Sequence, residues 1–366
     1  MSVNVEVAIT KATTIIANGN TQLVYEVLVT NFESRLILLS CLEVFNGTTL
    51  APLANYRDAH LQGIINDLNV TDDTETDPRE IAPGVRIIIY VWLELSHHKT
   101  VPTALRHRLV FSDKTGGEGR ACDVEFMGAN IPVPIDKPIV IGPPLRDGPW
   151  LVHGGFDNAA VNRRKVFTHN GSVCFPRRFS VAFLRFVDRE LYNHDFDRLD
   201  LNNHHSFGQP VLAVADGVIS AAIDGIPDSK PFNGITTPPD DPKSGGNYIF
   251  LDIGKGHYAS YAHLQQGSIE VKEGDRVSRG QVIAKVGHSA NRNMPHLQFG
   301  VGSSGSGFTD GEGLGFVFDK YLYYGGSATE EITDPETGII PEGKLPDSPE
   351  SKYKELPLQW NIVDFG

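Results

Sequence analysis

Short alternating runs of apolar and polar residues recur along the chain, and alternation of this kind is typical of strands. In the first third, such runs occupy residues 3–9, 23–29, 36–45, 86–95, 105–111 and 122–126. Turn-forming residues separate the runs, among them Asn18-Gly19-Asn20 and Pro83-Gly84, and the stretch lacks a convincing helical period. The pattern predicts a β-sandwich of immunoglobulin-like type over residues 1–130.

The composition changes over residues 131–149, where prolines, glycines and isolated charges replace the alternation. Proline cannot donate a hydrogen bond to a sheet, so this stretch is predicted to be a linker. A second, antiparallel β-domain is expected over residues 150–325. Residues 326–366 form an acidic, proline-rich tail, which we expect to wrap the surface and dock by the apolar residues of Leu358-Gln359-Trp360-Asn361-Ile362.

Two histidines fall on predicted strands of the second domain, His263 and His296. Alternate residues of a strand share a face, so we expect His296 and Gln298 to point to one side and Leu297 to the other. This arrangement predicts a functional site on that strand.

Two other features of the second domain affect how the sheet is built. Residues 207–219 contain two β-runs joined by the turn signal Asp216-Gly217. A proline- and aspartate-rich insertion at 224–244 interrupts the sheet, and a loop of this length is expected to be a lid, a binding loop or a disordered segment. The acidic residues at 72–80 are interpreted as a solvated loop.

Charge and composition narrow the function. The 366 residues have a formal net charge of -13 and a pI near 5.4, which argues against nucleic-acid binding because that needs clustered lysine and arginine. The N-terminus lacks the pattern of a signal peptide, and the longest apolar run, residues 87–93, is too short to cross a bilayer. We therefore expect a cytoplasmic protein with no membrane partner.

Three scattered cysteines, Cys41, Cys122 and Cys174, complete the compositional picture. An odd number without metal-ligand spacing is typical of buried thiols in a reduced compartment. Cys174 has no neighbour that would activate it, so it is interpreted as a packing residue.

Several motifs of the second domain occur in a fixed order and resemble a known family. They are Phe207-Gly208-Gln209-Pro210-Val211, Asp216-Gly217-Val218, Gly246-Asn247-Tyr248, Tyr261-Ala262-His263-Leu264, Gly280-Gln281-Val282-Ile283 and Pro295-His296-Leu297-Gln298-Phe299. Together they resemble the lysostaphin-type (LytM-like) zinc endopeptidases over about residues 150–325. The resemblance implies an all-β domain with a groove.

The resemblance also implies a ligand set. Members of that family hold zinc with a histidine and an aspartate of an early strand and with the second histidine of a His-x-His pair. Three protein ligands leave the fourth position of zinc to the attacking water. The first histidine of the pair and the histidine of the Tyr-Ala-His-Leu strand lie beside the metal and orient the water or stabilise the developing charge.

Matched position by position, the metal-adjacent histidines are His263 and His296, but the three ligand positions differ. The His-x-His ligand position is Gln298, and the early strand, taken as residues 177–183, carries Arg178 and Ala182 where the histidine and aspartate belong. An amide is a poor zinc ligand and a guanidinium has no lone pair to give. We therefore expect no cofactor, although zinc is possible.

An alternative places a metal elsewhere. His194, Asp197 or Asp200, with His204 or His205 nearby, could rebuild a site together with His263 and His296. Imidazoles and carboxylates in that number could bind zinc or iron. Solvent exposure of this loop is the simpler interpretation.

Other candidates have less support from the sequence. His288 could line the rim of the groove or be exposed, and Gln298 and Ala182 would then contact the ligand beside it. The pair His97-His98 lies at a strand end of the first domain. The basic residues Arg163-Arg164-Lys165 could meet an acidic ligand or form local ion pairs.

Three functional hypotheses follow. In the first, the chain is a non-proteolytic, metal-independent enzyme acting on a small molecule. His263 and His296 serve there as an acid/base pair or as donors to an oxyanion, and Arg178 holds an anionic oxygen. The second is an inactive module that regulates a partner or binds a peptide or glycan, its histidines purely structural. The third is a zinc endopeptidase with relocated ligands.

Overall fold

The computed structural model describes residues 4–67, 77–96, 100–113, 124–127, 131–133, 138–232, 244–290, 294–326, 338–340 and 348–366. The prediction of an all-β protein with antiparallel sheets is confirmed, and one parallel strand pair is present as well. The chain divides into two compact units, Met1–Lys137 and Pro138–Gly366. Outside the described residues lie His97, His98, Cys122, residues 72–76 of the acidic loop and residues 233–243 of the insertion.

The first unit contains eleven described strands and a six-residue helix, α1, at Asp58–Gly63. The strands are β1 Val5–Ile9, β2 Thr13–Ala17, β3 Asn20–Asn31, β4 Ile37–Asn46, β5 Pro52–Arg57, β6 Ile65–Asp67, β7 Glu80–Ile81, β8 Arg86–Leu95, β9 Ala104–Asp113, β10 Val124–Met127 and β11 Ile131–Pro132.

These strands form two antiparallel sheets. One has the order β1-β3-β8-β6, with β2 paired to β3, and the other has the order β10-β9-β4-β5, with β7 on β4 and β11 on β9. Both sheets contribute to one core, for example Val27 and Ile89 from the first and Leu39 and Leu109 from the second. The immunoglobulin-like type of this unit stays a prediction.

The turn Asn18-Gly19 closes a hairpin that the apolar pattern alone had not resolved. Ala17 pairs with Asn20, so two residues connect β2 to β3. Both have positive φ, 49° at Asn18 and 71° at Gly19, which is the conformation that a tight hairpin turn between twisted strands needs. The strand β2 was therefore missed, although its turn was recognised.

The second unit contains fifteen described strands and a short 3-10 helix at Leu201–Asn203. The strands are β12 Ile139–Ile141, β13 Trp150–His153, β14 Phe167–His169, β15 Ser172–Cys174, β16 Val181–Arg185, β17 Pro210–Leu212, β18 Gly217–Ile223, β19 Asn247–Asp252, β20 Tyr258–Leu264, β21 Arg276–Val277, β22 Val282–Lys285, β23 Leu297–Gly302, β24 Phe316–Gly326, β25 Glu350–Glu355 and β26 Asn361–Asp364.

Most of these strands belong to one sheet of eleven. Its order is β12-β24-β26-β13-β16-β23-β20-β19-β18-β21, with β25 paired to β24, and two small sheets pair β14 with β15 and β17 with β22. The order brings β13, β16, β23 and β20 side by side. These four strands come from distant parts of the chain and together carry the candidate site.

The two β-runs expected on either side of the Asp216-Gly217 turn signal are present as β17 and β18. They do not pair with each other, because β17 pairs with β22 while β18 pairs with β19 and β21. One local prediction for this unit is wrong. The strand expected at 177–183 begins only at Val181. The residues before it turn, with the Arg178 N–H donating to the Phe175 carbonyl and the Ser180 N–H to the Arg177 carbonyl.

The C-terminal residues do more than cover the surface. Strand β26 lies inside the large sheet between β24 and β13, and Ile362 pairs with Leu151. Trp360 and Ile362 are each 8% exposed, so they are buried as docking residues would be. The residues after 348 therefore complete the sheet of the second unit.

Candidate functional site

Four residues on neighbouring strands form a row across the large sheet. Ala182 of β16 lies opposite His153 of β13 on one side and Gln298 of β23 on the other, and Gln298 lies opposite Ala262 of β20. Directly opposed residues of antiparallel strands share a face. We call the side of the sheet that carries this row the groove face.

Apolar side chains pack on the β13 and β16 end of the groove face. They form one buried cluster with Ala182, and its members are Leu151, Leu184, Phe186, Leu191, Tyr192, Met294, Ile340, Trp360 and Ile362. The Trp360 ring lies 4.9 Å from the ring of His153, centroid to centroid. The surroundings of Ala182 are therefore suited to a methyl group, and a carboxylate there would lose its hydration.

His263 reaches this region through an unusual backbone conformation. Its φ is 60°, which is uncommon for a residue with a β-carbon, and the pairing of β19 with β20 shifts register nearby. The His263 N–H donates to the Gly245 carbonyl at 2.8 Å. The adjacent Gly246 must be glycine, because a β-carbon there would lie 2.3 Å from the Ser289 carbonyl oxygen.

The rings of His263 and His296 are in contact, with centroids 5.2 Å apart and planes at 71°. Nδ1 of His263 lies 2.9 Å from the Ser289 carbonyl oxygen, and Nδ1 of His296 lies 3.0 Å from the Met294 carbonyl oxygen. A carbonyl oxygen only accepts hydrogen bonds, so both rings carry their proton on Nδ1. In this tautomer Nε2 is the nitrogen with the lone pair.

Burial keeps both rings neutral. It lowers the pKa of His263 to about 3, with further contributions from the nearby His296 and from the Arg177 guanidinium. Burial also lowers the pKa of His296. Neutral imidazoles of this kind accept hydrogen bonds at physiological pH.

The sequence profile of Peptidase family M23 matches residues 199–309, which include β17 to β23 and therefore His263, His296 and Gln298. The chain contains an M23 peptidase domain. The matched segment begins after β16, so Arg178 and Ala182 lie before it.

Solved structures with similarity to the chain include other M23 proteins. The catalytic domain of lysostaphin from Staphylococcus simulans is 22% identical, covers 42% of this chain and 79% of its own, and has a TM-score of 0.24. The catalytic domain of the prophage-encoded M23 protein EnpA from Enterococcus faecalis is 18% identical, with coverages of 36% and 92% and a TM-score of 0.22. A zinc-containing peptidase from Vibrio cholerae is 15% identical, with coverages of 79% and 81% and a TM-score of 0.27.

None of the curated proteins matches the sequence of the chain. Among the described residues, no helix combines the length and the apolar character needed to cross a membrane.

Arg178 is placed differently from the sequence expectation. It lies on the turn before β16, only 4% exposed, and its Nη2 forms a 2.8 Å ion pair with Glu312. Its Nη1 donates to the Gly313 carbonyl at 3.3 Å, and its Cζ lies 5.3 Å from the centroid of the Phe175 ring. The charge of Arg178 is therefore compensated within the protein.

His288 is completely buried, whereas a position at the rim of the groove or an exposed one was expected. Its N–H donates to Asp228 Oδ1 at 2.6 Å, and its carbonyl accepts from the Ser229 N–H, so residues 228–229 cover it. Burial lowers the pKa of His288 to about 3, with smaller contributions from His296 and His204. Among the described residues, neither ring nitrogen has a hydrogen-bond partner.

His153 is a further candidate residue of the site, and it could not be recognised from its sequence pattern. Burial lowers its pKa to about 4, and the neighbouring His296 adds to the shift. Its Nδ1 is buried without a partner among the described residues, as is Nε2 of Gln298. The local sequence around His153 gave no signal, because its place depends on the pairing of β13 with β16.

The described residues do not assemble the relocated metal site. His194, Asp197 and Asp200 are exposed, and the His194 ring stacks on Tyr192 at 4.5 Å. His204 is buried, contrary to the exposure expected for this loop, with Nε2 2.8 Å from the Arg198 carbonyl oxygen. His205 is partly exposed, and burial lowers its pKa. Across the described part of the chain, no group of three or more His, Cys, Asp or Glu side chains is arranged to hold a metal ion.

The remaining candidate residues are buried or hydrogen-bonded within the protein. Arg163 is fully buried, and the amide of Asn162 donates to the Gly154 carbonyl at 2.7 Å. Arg164 donates from Nε to the Asn158 carbonyl at 3.0 Å. Cys41 and Cys174 are buried free thiols, and burial raises the pKa of each.

Proposed function

We propose that the M23 domain is a metal-independent, non-proteolytic enzyme that acts on a small molecule at His263 and His296. One observation carries the proposal. Ala182 lies opposite Gln298 on the groove face, while the rings of the two histidines remain in contact. The positions that the resemblance assigns to the metal lack its donors, whereas the imidazoles beside them are present.

As a donor set, Arg178, Ala182 and Gln298 do not fit a zinc ion. A methyl group has no lone pair, a guanidinium repels a dication, and an amide oxygen is a weaker zinc ligand than imidazole or carboxylate. The ion pair of Arg178 with Glu312 also directs the guanidinium to an internal partner. No step of the proposed reaction is therefore assigned to zinc.

The tautomer of the two histidines supports the role of base over that of oxyanion donor. Each Nδ1–H already donates to a backbone carbonyl, so Nε2 presents a lone pair. A lone pair accepts a proton or a hydrogen bond from a substrate O–H or N–H, and it repels an oxyanion. We propose that His263 takes a proton from the substrate and that His296, in contact with it, fixes the ring.

The proposal is tested by exposing the purified protein to a mixture of small metabolites in the presence of a chelator and following their consumption by mass spectrometry. The wild type is expected to consume one compound, and His263→Gln is expected to lose this turnover. His169→Gln is the matched control, because His169 is an exposed histidine of the same unit. It should behave as the wild type.

Two results would overturn the proposal. One is turnover that needs added zinc and stops on chelation. The other is cleavage of peptide bonds in peptidoglycan fragments or in glycine-rich peptides, with activity lost in His263→Gln. The first would identify a metal-dependent enzyme, and the second a working peptidase.

A second candidate is an inactive binding module, and the strength of the pKa shift favours it. A histidine whose pKa is about 3 is a weak base, because the lone pair that binds a proton poorly in the folded protein also removes a substrate proton slowly. This candidate predicts a co-purified or captured small molecule, seen by native mass spectrometry, that wild-type protein leaves unchanged. Turnover abolished by His263→Gln would reject it.

A further inference from the structure

Arg177 is a half-buried cation whose charge has no carboxylate partner among the described residues. Its Cζ lies 5.7 Å from the centroid of the Phe167 ring and 6.0 Å from that of Phe308. Its described hydrogen bond is a long one, from Nη2 to Ser244 Oγ at 3.4 Å. Burial lowers the pKa of Arg177 to about 10, so the guanidinium is still charged at neutral pH.

The neighbouring Arg178 is a buried guanidinium with a carboxylate partner, and it can be compared with Arg177. Arg178 has an ion pair with Glu312 at 2.8 Å and a hydrogen bond to the Gly313 carbonyl. Arg177, one residue earlier on the same turn, has two aromatic rings and a hydroxyl instead. The rings hold the side chain in place by cation–π attraction and leave most of its N–H donors for another acceptor.

The position of Arg177 connects it to the histidine pair. Ser244, which accepts from its guanidinium, precedes Gly245, whose carbonyl accepts from the His263 N–H at 2.8 Å. The charge of Arg177 also contributes to the lowered pKa of His263. The consecutive residues Ser244 and Gly245 thus connect the Arg177 guanidinium to the backbone of His263.

We propose that Arg177 is the anion anchor of the groove, so that the ligand is a small acid carrying a carboxylate or a phosphate. A guanidinium binds either group through two parallel N–H···O bonds. The same ligand presents an O–H or N–H group to Nε2 of His263. This inference rests on the proposed function for the location of the site, and it replaces Arg178 by Arg177 as the residue that holds anionic oxygen.

The test titrates the purified protein with inorganic phosphate and, separately, with acetate, while NMR follows the ring signals of His263. In the wild type, one of the two anions is expected to shift these signals to saturation. Arg177→Gln should weaken the affinity by about tenfold or more, because the paired charge is lost. Arg177→Lys should retain part of the affinity, since it keeps the charge without the paired donors.

Arg276→Gln is the matched control, because it removes an exposed arginine of the same unit and so changes the net charge equally. Its affinity should equal that of the wild type. A larger shift with phosphate than with acetate, or the reverse, identifies the class of acid.

The inference is overturned if neither anion shifts the His263 signals, or if Arg177→Gln and Arg276→Gln bind with the affinity of the wild type. Neither result affects turnover in chelator, which tests the proposed function separately. Should Arg177→Gln fail to fold, equal affinities of Arg177→Lys and the wild type would overturn the inference as well.

Discussion

On β23, Leu297 and Phe299 point into the core of the second unit, whereas Gln298 belongs to the opposite, groove face, and His296 lies one residue before the strand. Leu297 is fully buried, and the Phe299 ring contacts those of Tyr261, Phe316 and Phe318. On the groove face, Gln298 has a buried Nε2 without a partner among the described residues. Neighbouring residues of one strand therefore differ in their surroundings: one face packs apolar side chains, and the other carries polar ones.

The two faces of β23 show how a side chain needed for folding differs from one needed for binding. A core face needs apolar side chains that fill the space, and apolar burial alone stabilises it. On the groove face, Nδ1 of His153 and Nε2 of Gln298 are buried without a partner among the described residues, which costs stability and is characteristic of a surface that meets a ligand or ordered water. Substitutions on the two faces should therefore have unequal effects.

At neutral pH the largest expected effect belongs to the core face. Phe299→Ala should lower the free energy of unfolding by about 3–5 kcal/mol, because it removes a ring and leaves a cavity. Gln298→Ala, one residue away, should change it by less than about 1 kcal/mol, since no described bond is lost from Nε2. Denaturant unfolding monitored by circular dichroism measures both. Equal losses would contradict the division into two faces.

The next largest effect follows from placing a carboxylate on the groove face. Ala182→Asp should lower the free energy of unfolding by about 2–4 kcal/mol at neutral pH, because the charge would be buried beside apolar side chains. Ala182→Asn has nearly the same shape without the charge and should cost less. The gap between the two variants should narrow as pH falls and the carboxyl group takes up a proton.

If Ala182→Asp is instead as stable as Ala182→Asn at neutral pH, the position tolerates the charge. It would then still be suited to a metal ligand, and the interpretation of the groove as metal-free would be weakened.

At neutral pH the smallest expected effect comes from the histidines whose pKa is lowered by burial, because they change the stability only as the pH falls. The pKa values of His153, His263 and His288 lie at about 4, 3 and 3, below the ordinary value of 6.5. The unfolded chain therefore binds more protons than the folded one between these values, and stability falls as pH is lowered through 6.5 toward 3. It is fully present above that range.

Thermal unfolding of the wild type across this pH range checks the expectation. Replacing His153 by Gln should flatten the acid side of the profile, whereas the exposed His169→Gln should leave the profile unchanged. A wild-type melting temperature that stays constant between pH 6.5 and 4 would contradict the lowered pKa values of these histidines.

Much of the fold could be predicted from the sequence, because alternation along a strand reports local burial. The strand expected at 86–95 coincides with β8, and the opposite orientations of Leu297 and Gln298 follow from the same alternation. The hairpin strand β2 was missed although its Asn18-Gly19 turn was recognised. The Asp216-Gly217 turn shows the limit, since a turn signal does not determine which strands the neighbouring strands pair with.

The candidate site was only partly predictable. His263 and His296 could be found from their motifs, and the pairing of Ala182 with Gln298 agrees with the positions matched by resemblance. His153 and Arg177 could not be found, because their places depend on strands and turns that are distant in the sequence. The burial of His288 was also missed, since residues 228–229 cover it from another part of the chain.

The metal content of the purified protein is the most direct test of whether the M23 domain binds zinc. The protein is purified without chelator and dialysed first against a zinc-containing buffer and then against a metal-free buffer. Its zinc content is then measured by inductively coupled plasma mass spectrometry. We expect zinc well below one ion per chain and a melting temperature unchanged by added zinc. One tightly held zinc ion per chain, lost when His263 or His296 is replaced by glutamine, would contradict it.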